Sequence, residues 1–213
     1  MLDFIPSSPI LAAYLVAVVV LTLTPGPDMT MFVGKAVSQS RAAGFAAFAG
    51  ASTGLVVHTV LVAVGLSALL AASATAFLVL KIVGAAYLVY LAVQSLRHGS
   101  ALSVGGAGKA ETIGAVYLKG LGVNLLNPKI IVFFVTFLPQ FVDANDPHAA
   151  GKLIFLGLTF VVVATPISAV LIWFAGSIAA WLKRSPRATR AVDYVFAGVM
   201  GAFAVRLILA QAK

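Results

Sequence analysis

The sequence predicts an all-α, polytopic membrane protein with six transmembrane helices. They form two inverted three-helix repeats, and the first helix of each repeat is broken by proline. Three observations carry that expectation. Of 213 residues, 62% are hydrophobic and only 9% charged, with a mean hydropathy of +1.09, whereas a soluble domain has about 25% charged residues. The apolar residues fall into long runs, and a chain of this length has room for about six spans of roughly 20 residues with short connections. Two runs contain residues that are costly in hydrocarbon, at Thr24-Pro25-Gly26-Pro27-Asp28 and at Asn127-Pro128-Lys129.

Taken in order, Met1 to Pro9 lacks the positive n-region of a cleaved signal peptide, so the first apolar run is expected to stay as a helix. Helix one is expected from about Pro9 to Gly34. It is interrupted at Thr24 to Asp28, because each proline removes a backbone donor and crowds the preceding turn. Helix two, from about Ala42 to Leu70, contains His58 and the GxxxG stretch Gly50-Ala51-Ser52-Thr53-Gly54, a spacing that lets helices approach closely. A short uncharged stretch, Ala71 to Ala76, leads to helix three, from about Phe77 to Leu96. The Gly-, Ser- and Ala-rich segment Arg97 to Glu111 is the natural boundary. It divides the chain into a first repeat, 1–98, a linker, 99–115, and a second repeat, 116–213. Helix four is expected from about Val116 to Phe141, interrupted at Asn127 to Lys129. After polar Val142 to Ala150 comes helix five, from about Lys152 to Leu182, with Pro166 near its centre. The basic stretch Lys183 to Arg190 reads as a loop before helix six, from about Val192 to Ala210.

Loop charge sets the orientation, since Lys and Arg collect in cytoplasmic loops. The first, third and fifth loops hold Lys35 and Arg41, then Arg97, Lys109 and Lys119, then Lys183, Arg184, Arg187 and Arg190. These loops are expected in the cytoplasm, which with six spans places both termini outside; if one apolar run lies in the interface instead, the count becomes five and one terminus changes side. The same bias accounts for the net charge of +8, so the basic balance does not call for nucleic acid.

Three spans per half is an odd number, so a duplicated half inserts upside down, the plan of many secondary transporters. Pro25 lies 10 residues before Lys35, and Pro128 lies 9 residues after Lys119. Those separations correspond to about 15 and 13 Å of helix rise, which puts both breaks near the bilayer midplane. Thr24-Pro25 and Asn127-Pro128 each read as an N-cap followed by proline at the first helical position. Each would start a half-helix whose unpaired N–H groups and positive dipole end favour an anion. Asp28 beside one break and Lys129 beside the other suit a zwitterion. Its ammonium would face Asp28, and its carboxylate would face Asn127, Lys129 and the half-helix ends. The structural alternative is a pair of kinks held by an Asp28–Lys129 salt bridge. Intramembrane charges are usually functional, and the two readings can coexist as a gate.

The segments Thr24 to Asp28, Lys81 to Leu88 and Gly120 to Lys129 together resemble the LysE/RhtB family of amino-acid exporters, and the resemblance covers essentially the whole chain. It implies export of amino acids or close derivatives across the bacterial inner membrane, coupled to proton influx. By position, Pro25, Gly26, Pro27, Asp28, Asn124, Asn127, Pro128 and Lys129 become the substrate-binding candidates, with Asp28 the candidate for proton coupling. The expected partners are a small zwitterion, protons and the lipid bilayer. The oligomeric state stays open, a homodimer among the options.

No cofactor or metal is called for. The chain has no cysteine, and His58, His98 and His148 show no metal-ligand spacing. No Ser/His/Asp arrangement supports a membrane hydrolase. An inorganic cation is the alternative cargo, although a divalent site normally wants more oxygen or soft ligands than Asp28 alone offers. His58 reads first as a packed, hydrogen-bonded histidine and second as a proton relay.

Overall fold

The computed structural model describes residues 4–72, 74–98, 110–143 and 146–209. Its elements are α1 (Ser8–Leu23), α2 (Pro27–Ser38), α3 (Arg41–Ala72), α4 (Ala74–His98), α5 (Ile113–Leu125), α6 (Pro128–Val132), α7 (Ala149–Trp173), α8 (Ala175–Arg184) and α9 (Pro186–Leu209). No strand occurs among the described residues. Among the described residues, three helical stretches are long and apolar enough to cross a membrane: Arg41–Gly65, Ala149–Trp173 and Arg187–Val205. The count reaches 5 if the bent pairs Ser8–Leu23 with Pro27–Ser38 and Ile113–Leu125 with Pro128–Phe141 are each one span. The expected third helix corresponds to α4, within which Ile82–Gln94 is a shorter apolar stretch.

The breaks fall where proline demands them. Proline drives the residue before it out of the helical region. Thr24 (φ −77°, ψ 120°), Gly26 (φ −171°, ψ −179°) and Asn127 (φ −72°, ψ 108°) are all extended. The axes bend by 50° at the first break and 48° at the second. The first break differs from expectation in one respect. Thr24 is not an N-cap but ends α1, its hydroxyl donating back to the Val20 carbonyl. Pro25 holds Thr24 extended and Pro27 holds Gly26 extended, so the helix restarts only at Pro27, with Gly26 at the cap.

After α6 the helix widens into a π segment, Phe133–Phe137, and then tightens into a 3-10 turn, Leu138–Phe141. Pro139 explains the change, since it has no N–H to give to the Val135 carbonyl one turn back. The expected fifth helix is two helices, with a joint at Phe174 (φ −98°, ψ 13°) between α7 and amphipathic α8. The expected basic loop is largely helical. Ser185 accepts from the Ala188 N–H and Pro186 opens α9, so Arg187 and Arg190 lie in its first turns.

Lipid tails are as apolar as leucine, so packing rather than exclusion from water holds such helices together. Small residues let α3 and α5 touch backbone to backbone. A Cβ on Gly50 would lie 2.0 Å from the Tyr117 carbonyl oxygen, and one on Gly120 would lie 2.1 Å from that of Ala47. Two apolar clusters result. One gathers Tyr14, Phe133, Phe134, Phe137, Phe141 and Phe160 with their aliphatic neighbours. The other gathers Met29, Phe32, Val33, Ala47, Val116 and Ile172. The two breaks lie where these clusters meet.

Polar contacts tie the ends of the elements. Glu111 receives Lys35 at 2.6 Å and Lys119 at 2.5 Å. Gln39 closes the junction through the Glu111 backbone, donating to its carbonyl (2.6 Å) and accepting from its N–H (3.1 Å). Lys35 and Lys119 therefore share one side of the molecule, as their placement in cytoplasmic loops requires. The Lys119 and Lys35 hydrogen bonds hold the Glu111 carboxyl below the usual carboxylate range. Phe4 stacks edge-on to His148, joining the N-terminal end to the loop before α7. In that loop Lys152 pairs with Asp146 and holds its carboxyl low in the same way.

Candidate functional site

The side chains at the two breaks converge. Asp28, in the first turn of α2, accepts a 2.7 Å hydrogen bond at Oδ2 from Asn124 Nδ2 near the end of α5. Asn127 caps α6 by accepting the Lys129 N–H at 3.0 Å, and its own N–H returns to the Asn124 carbonyl at 3.0 Å. Pro128 opens α6. The Lys129 ammonium reaches back across the site and donates to the carbonyl oxygens of Thr24 (2.9 Å) and Leu21 (3.3 Å). These belong to the end of α1, where orphan carbonyls need donors and where the dipole favours a cation.

The Asp28–Lys129 salt bridge of the structural alternative is not formed; another arrangement takes its place. The ammonium caps a helix, and the carboxylate takes an amide. Lys129 still acts electrostatically on Asp28, as does His58. His58 is buried, with Nε2 3.4 Å from the Asn124 carbonyl oxygen and its ring against Phe134. That is the packed, hydrogen-bonded histidine expected first. The side chains of Lys81, His98 and Arg206 lie outside the described residues.

Two glycines make the geometry possible. A Cβ on Gly26 would sit 3.0 Å from Lys129 Nζ and 3.2 Å from its Cε, so the lysine passes over bare backbone. A Cβ on Gly54 would sit 2.3 Å from Asn124 Oδ1. Without it, Asn124 fits between α3 and Asp28.

Three polar atoms of the group are buried without a close hydrogen-bond partner, Asp28 Oδ1, Asn124 Oδ1 and Asn127 Nδ2, although the Asn127 amide is near enough to act on the Asp28 carboxyl. Beside them lies a cavity of about 40 Å³, whose walls include Thr24, Asp28, Asn124 and Lys129. At about 10–15 Å³ per water, it has room for roughly three. Of the other candidates, Pro25, Gly26, Pro27 and Pro128 shape the backbone rather than line this cavity, and Asn127 caps α6 without lining it.

Sequence reasoning missed the remaining wall. Phe48, Ala51 and Leu55 of α3 and Phe160, Ala164 and Ser168 of α7 form much of it, with Leu21, Thr22, Met29, Phe32 and Ile130 filling the rest. The α7 residues recur every four positions, one face of a helix. In a span apolar on all sides that period stands out only at Ser168, the single polar member.

Two proline-bent helix pairs meeting at a buried layer of acid, amides and base suit a membrane translocator better than an anchor. The matched family agrees: residues 19–211 fit the LysE type translocator, and the chain belongs to that family. It is 35% identical over 201 residues to the homoserine/homoserine lactone efflux protein of Salmonella typhimurium, covering 94% of this chain and 96% of that one. An uncharacterized membrane protein of Vibrio cholerae is 34% identical over 204 residues, with the same coverage. The leucine efflux protein of Salmonella choleraesuis is 26% identical over 201 residues, covering 93% and 94%. No solved structure matches. The protein is thus a multi-pass bacterial membrane protein of the transporter class.

Proposed function

We propose that the chain exports amino acids or close derivatives across the inner membrane by alternating access, with proton influx as the driving force. The two halves act as inverted repeats that rock about the layer between the breaks. The names of its relatives, which specify homoserine and leucine, support an amino-acid cargo. They give the inorganic-cation alternative no support.

One observation carries the site assignment: the buried, unmet atoms at the breaks. In hydrocarbon each such group costs several kcal/mol, so a chain that keeps three together has something to place on them. Two are acceptors, Asp28 Oδ1 and Asn124 Oδ1, which suit an ammonium. The third, Asn127 Nδ2, is a donor and suits a carboxylate, together with the positive dipole end of α2. A cavity with room for about three waters is smaller than an amino acid, so loading moves its walls. A carboxylate entering here competes with the carbonyls of Thr24 and Leu21 for Lys129, which links binding to the end of α1. A proton arriving on Asp28 from outside removes the charge that holds the ammonium, and its release inside resets the site.

Proteoliposomes test this directly. Preloaded homoserine, leucine and a wider panel, offered one at a time with and without a pH gradient, should show counterflow for at least one. No flux across the panel overturns the function. Asp28→Asn should cut flux by more than about tenfold, the equivalent of 1.4 kcal/mol, while the protein still inserts. Normal, gradient-sensitive flux in that variant removes Asp28 from the mechanism.

A further inference from the structure

A second hollow lies on the outer surface of the bundle and belongs to neither break's polar layer. It is a groove of about 480 Å³ between the end of α1, α8 and the start of α9, and its walls include Leu23, Pro25, Trp181, Arg187, Val192 and Val195. That volume is within the roughly 300–1,000 Å³ of small-molecule sites. Its chemistry is graded. Arg187 and Trp181 stand at one end, while Val192, Val195 and Leu23 supply only hydrocarbon. Trp181 is 58% and Val195 62% exposed, so neither is covered by the rest of the chain.

The grading runs along the membrane normal. Arg187 opens the candidate span Arg187–Val205, and Val195 lies eight residues further along α9, about 12 Å deeper at 1.5 Å per residue. Tryptophan and arginine at the end of a span belong to the headgroup level. Arg184 and Arg190 flank the same end, the side that loop charge assigns to the cytoplasm, where the leaflet surface is negative. The inner end of the groove reaches Pro25, in the backbone of the first break.

We infer that this groove is a binding site for an anionic phospholipid of the cytoplasmic leaflet, its phosphate on Arg187 and one acyl chain laid along Val192, Val195 and Leu23 against Pro25. A cation at the headgroup level above an apolar channel matches an anionic amphiphile. A second copy of the chain would have to bring its own negative charge to Arg187 within the bilayer. The lipid would also buttress the first break from outside, opposite the cavity.

The test uses the full-length protein purified in detergent and native mass spectrometry. The protein is titrated with phosphatidylglycerol or phosphatidylcholine of identical acyl chains. Wild type should hold its first phosphatidylglycerol about fivefold more tightly, the worth of roughly one basic residue against an anionic lipid. Arg187→Gln should erase that preference, and Arg184→Gln, outside the groove, should leave it intact. Val192→Trp, which fills the channel, should reduce retention of both lipids. If Arg187→Gln does not fold, as judged by its melting temperature, the Val192→Trp and Arg184→Gln results decide. Equal retention of the two lipids by wild type overturns the proposal. So does an equal loss in Arg184→Gln, which means diffuse attraction to a basic surface. A Val192→Trp protein that changes its monomer–dimer balance while keeping its lipid also overturns it, and marks the groove as a contact between copies.

Discussion

The two breaks bend the chain by nearly the same angle and restart a helix on a proline, yet they are completed in different ways. At the second break the sequence caps itself. Asn127 holds the Lys129 N–H, and the Asn124 carbonyl is met by the Asn127 N–H and approached by His58. At the first break Gly26 offers no capping side chain. The carbonyls of Leu21 and Thr24 are met by Lys129, more than a hundred residues away in sequence. The first break is therefore built in part by the second, and the reverse dependence is weaker. Two half-helix starts of similar design need not be two copies of one device; here one serves as the cap of the other.

That asymmetry can be broken by experiment, and the largest effect is expected at Lys129. Lys129→Met leaves the Thr24 carbonyl short of a donor, the Leu21 carbonyl with only the Thr24 N–H, and Asp28 short of a nearby positive charge. Losing a hydrogen-bonded buried charge costs roughly 2–5 kcal/mol. Melting should fall accordingly, and hydrogen exchange should rise from Leu21 to Asp28 while Asn127 to Val132 stays protected. Equal loosening of both breaks would mean that neither depends on the other in particular.

Gly54→Ala should come next. Its Cβ lands on Asn124 Oδ1, and overpacking of this kind costs about 1–3 kcal/mol. The Asn124–Asp28 hydrogen bond shifts, so transport falls together with melting temperature. Gly34→Ala, where nothing lies within 4 Å, is the control that should keep both. Smaller still is Asn127→Ala, the loss of one N-cap at about 1 kcal/mol. Its exchange signature should stay at the second break, and spread to Leu21 or Thr24 would reverse the dependence argued above.

The smallest effect lies at the edge of the molecule, at Glu111. Lys119 and Lys35 depress its pKa, so its contribution is fully present above the ordinary carboxylate pKa, about 4.3. It is lost as pH falls through the depressed value. Melting curves of wild type and Glu111→Gln should differ at neutral pH and converge in acid. A difference that grows on acidification would sink the assignment.

Much of this was legible in the sequence because proline and glycine act locally. Pro25, Pro27 and Pro128 fix the conformation of their neighbours whatever the fold. Asn127-Pro128 carries its own cap, and Gly50 and Gly54 announce a close helix contact. Ser185-Pro186 carries the same signal as Asn127-Pro128, but the surrounding arginines suggested a loop. The destinations of long side chains were not legible. Lys129 reaches Thr24 and Asn124 reaches Asp28 only through the packing of α1, α2, α5 and α6, and no local pattern encodes that meeting. The α7 wall of the cavity stayed hidden for a different reason. In a lipid-facing helix both faces are apolar, so periodicity marks no inner side.

The π segment Phe133–Phe137 gives the second half-helix a property that regular α2 lacks. A π turn carries a surplus residue, and the turn can travel along a helix by exchanging hydrogen-bond partners one at a time, without unwinding it. Each step re-registers only the residue it crosses, by about 100° and 1.5 Å, and leaves the helix on either side in place. The residues on this segment are the aromatic ones, with Phe137 4.6 Å from Phe203, Phe133 5.4 Å from Phe160 and Tyr14 5.2 Å from nearby Phe141, ring centre to ring centre. A single-residue step would thus re-aim one ring of this stack, a few residues beyond Lys129, while its neighbours keep their places. It gives the thick apolar half of the bundle a discrete movement at a point where its backbone never has to let go.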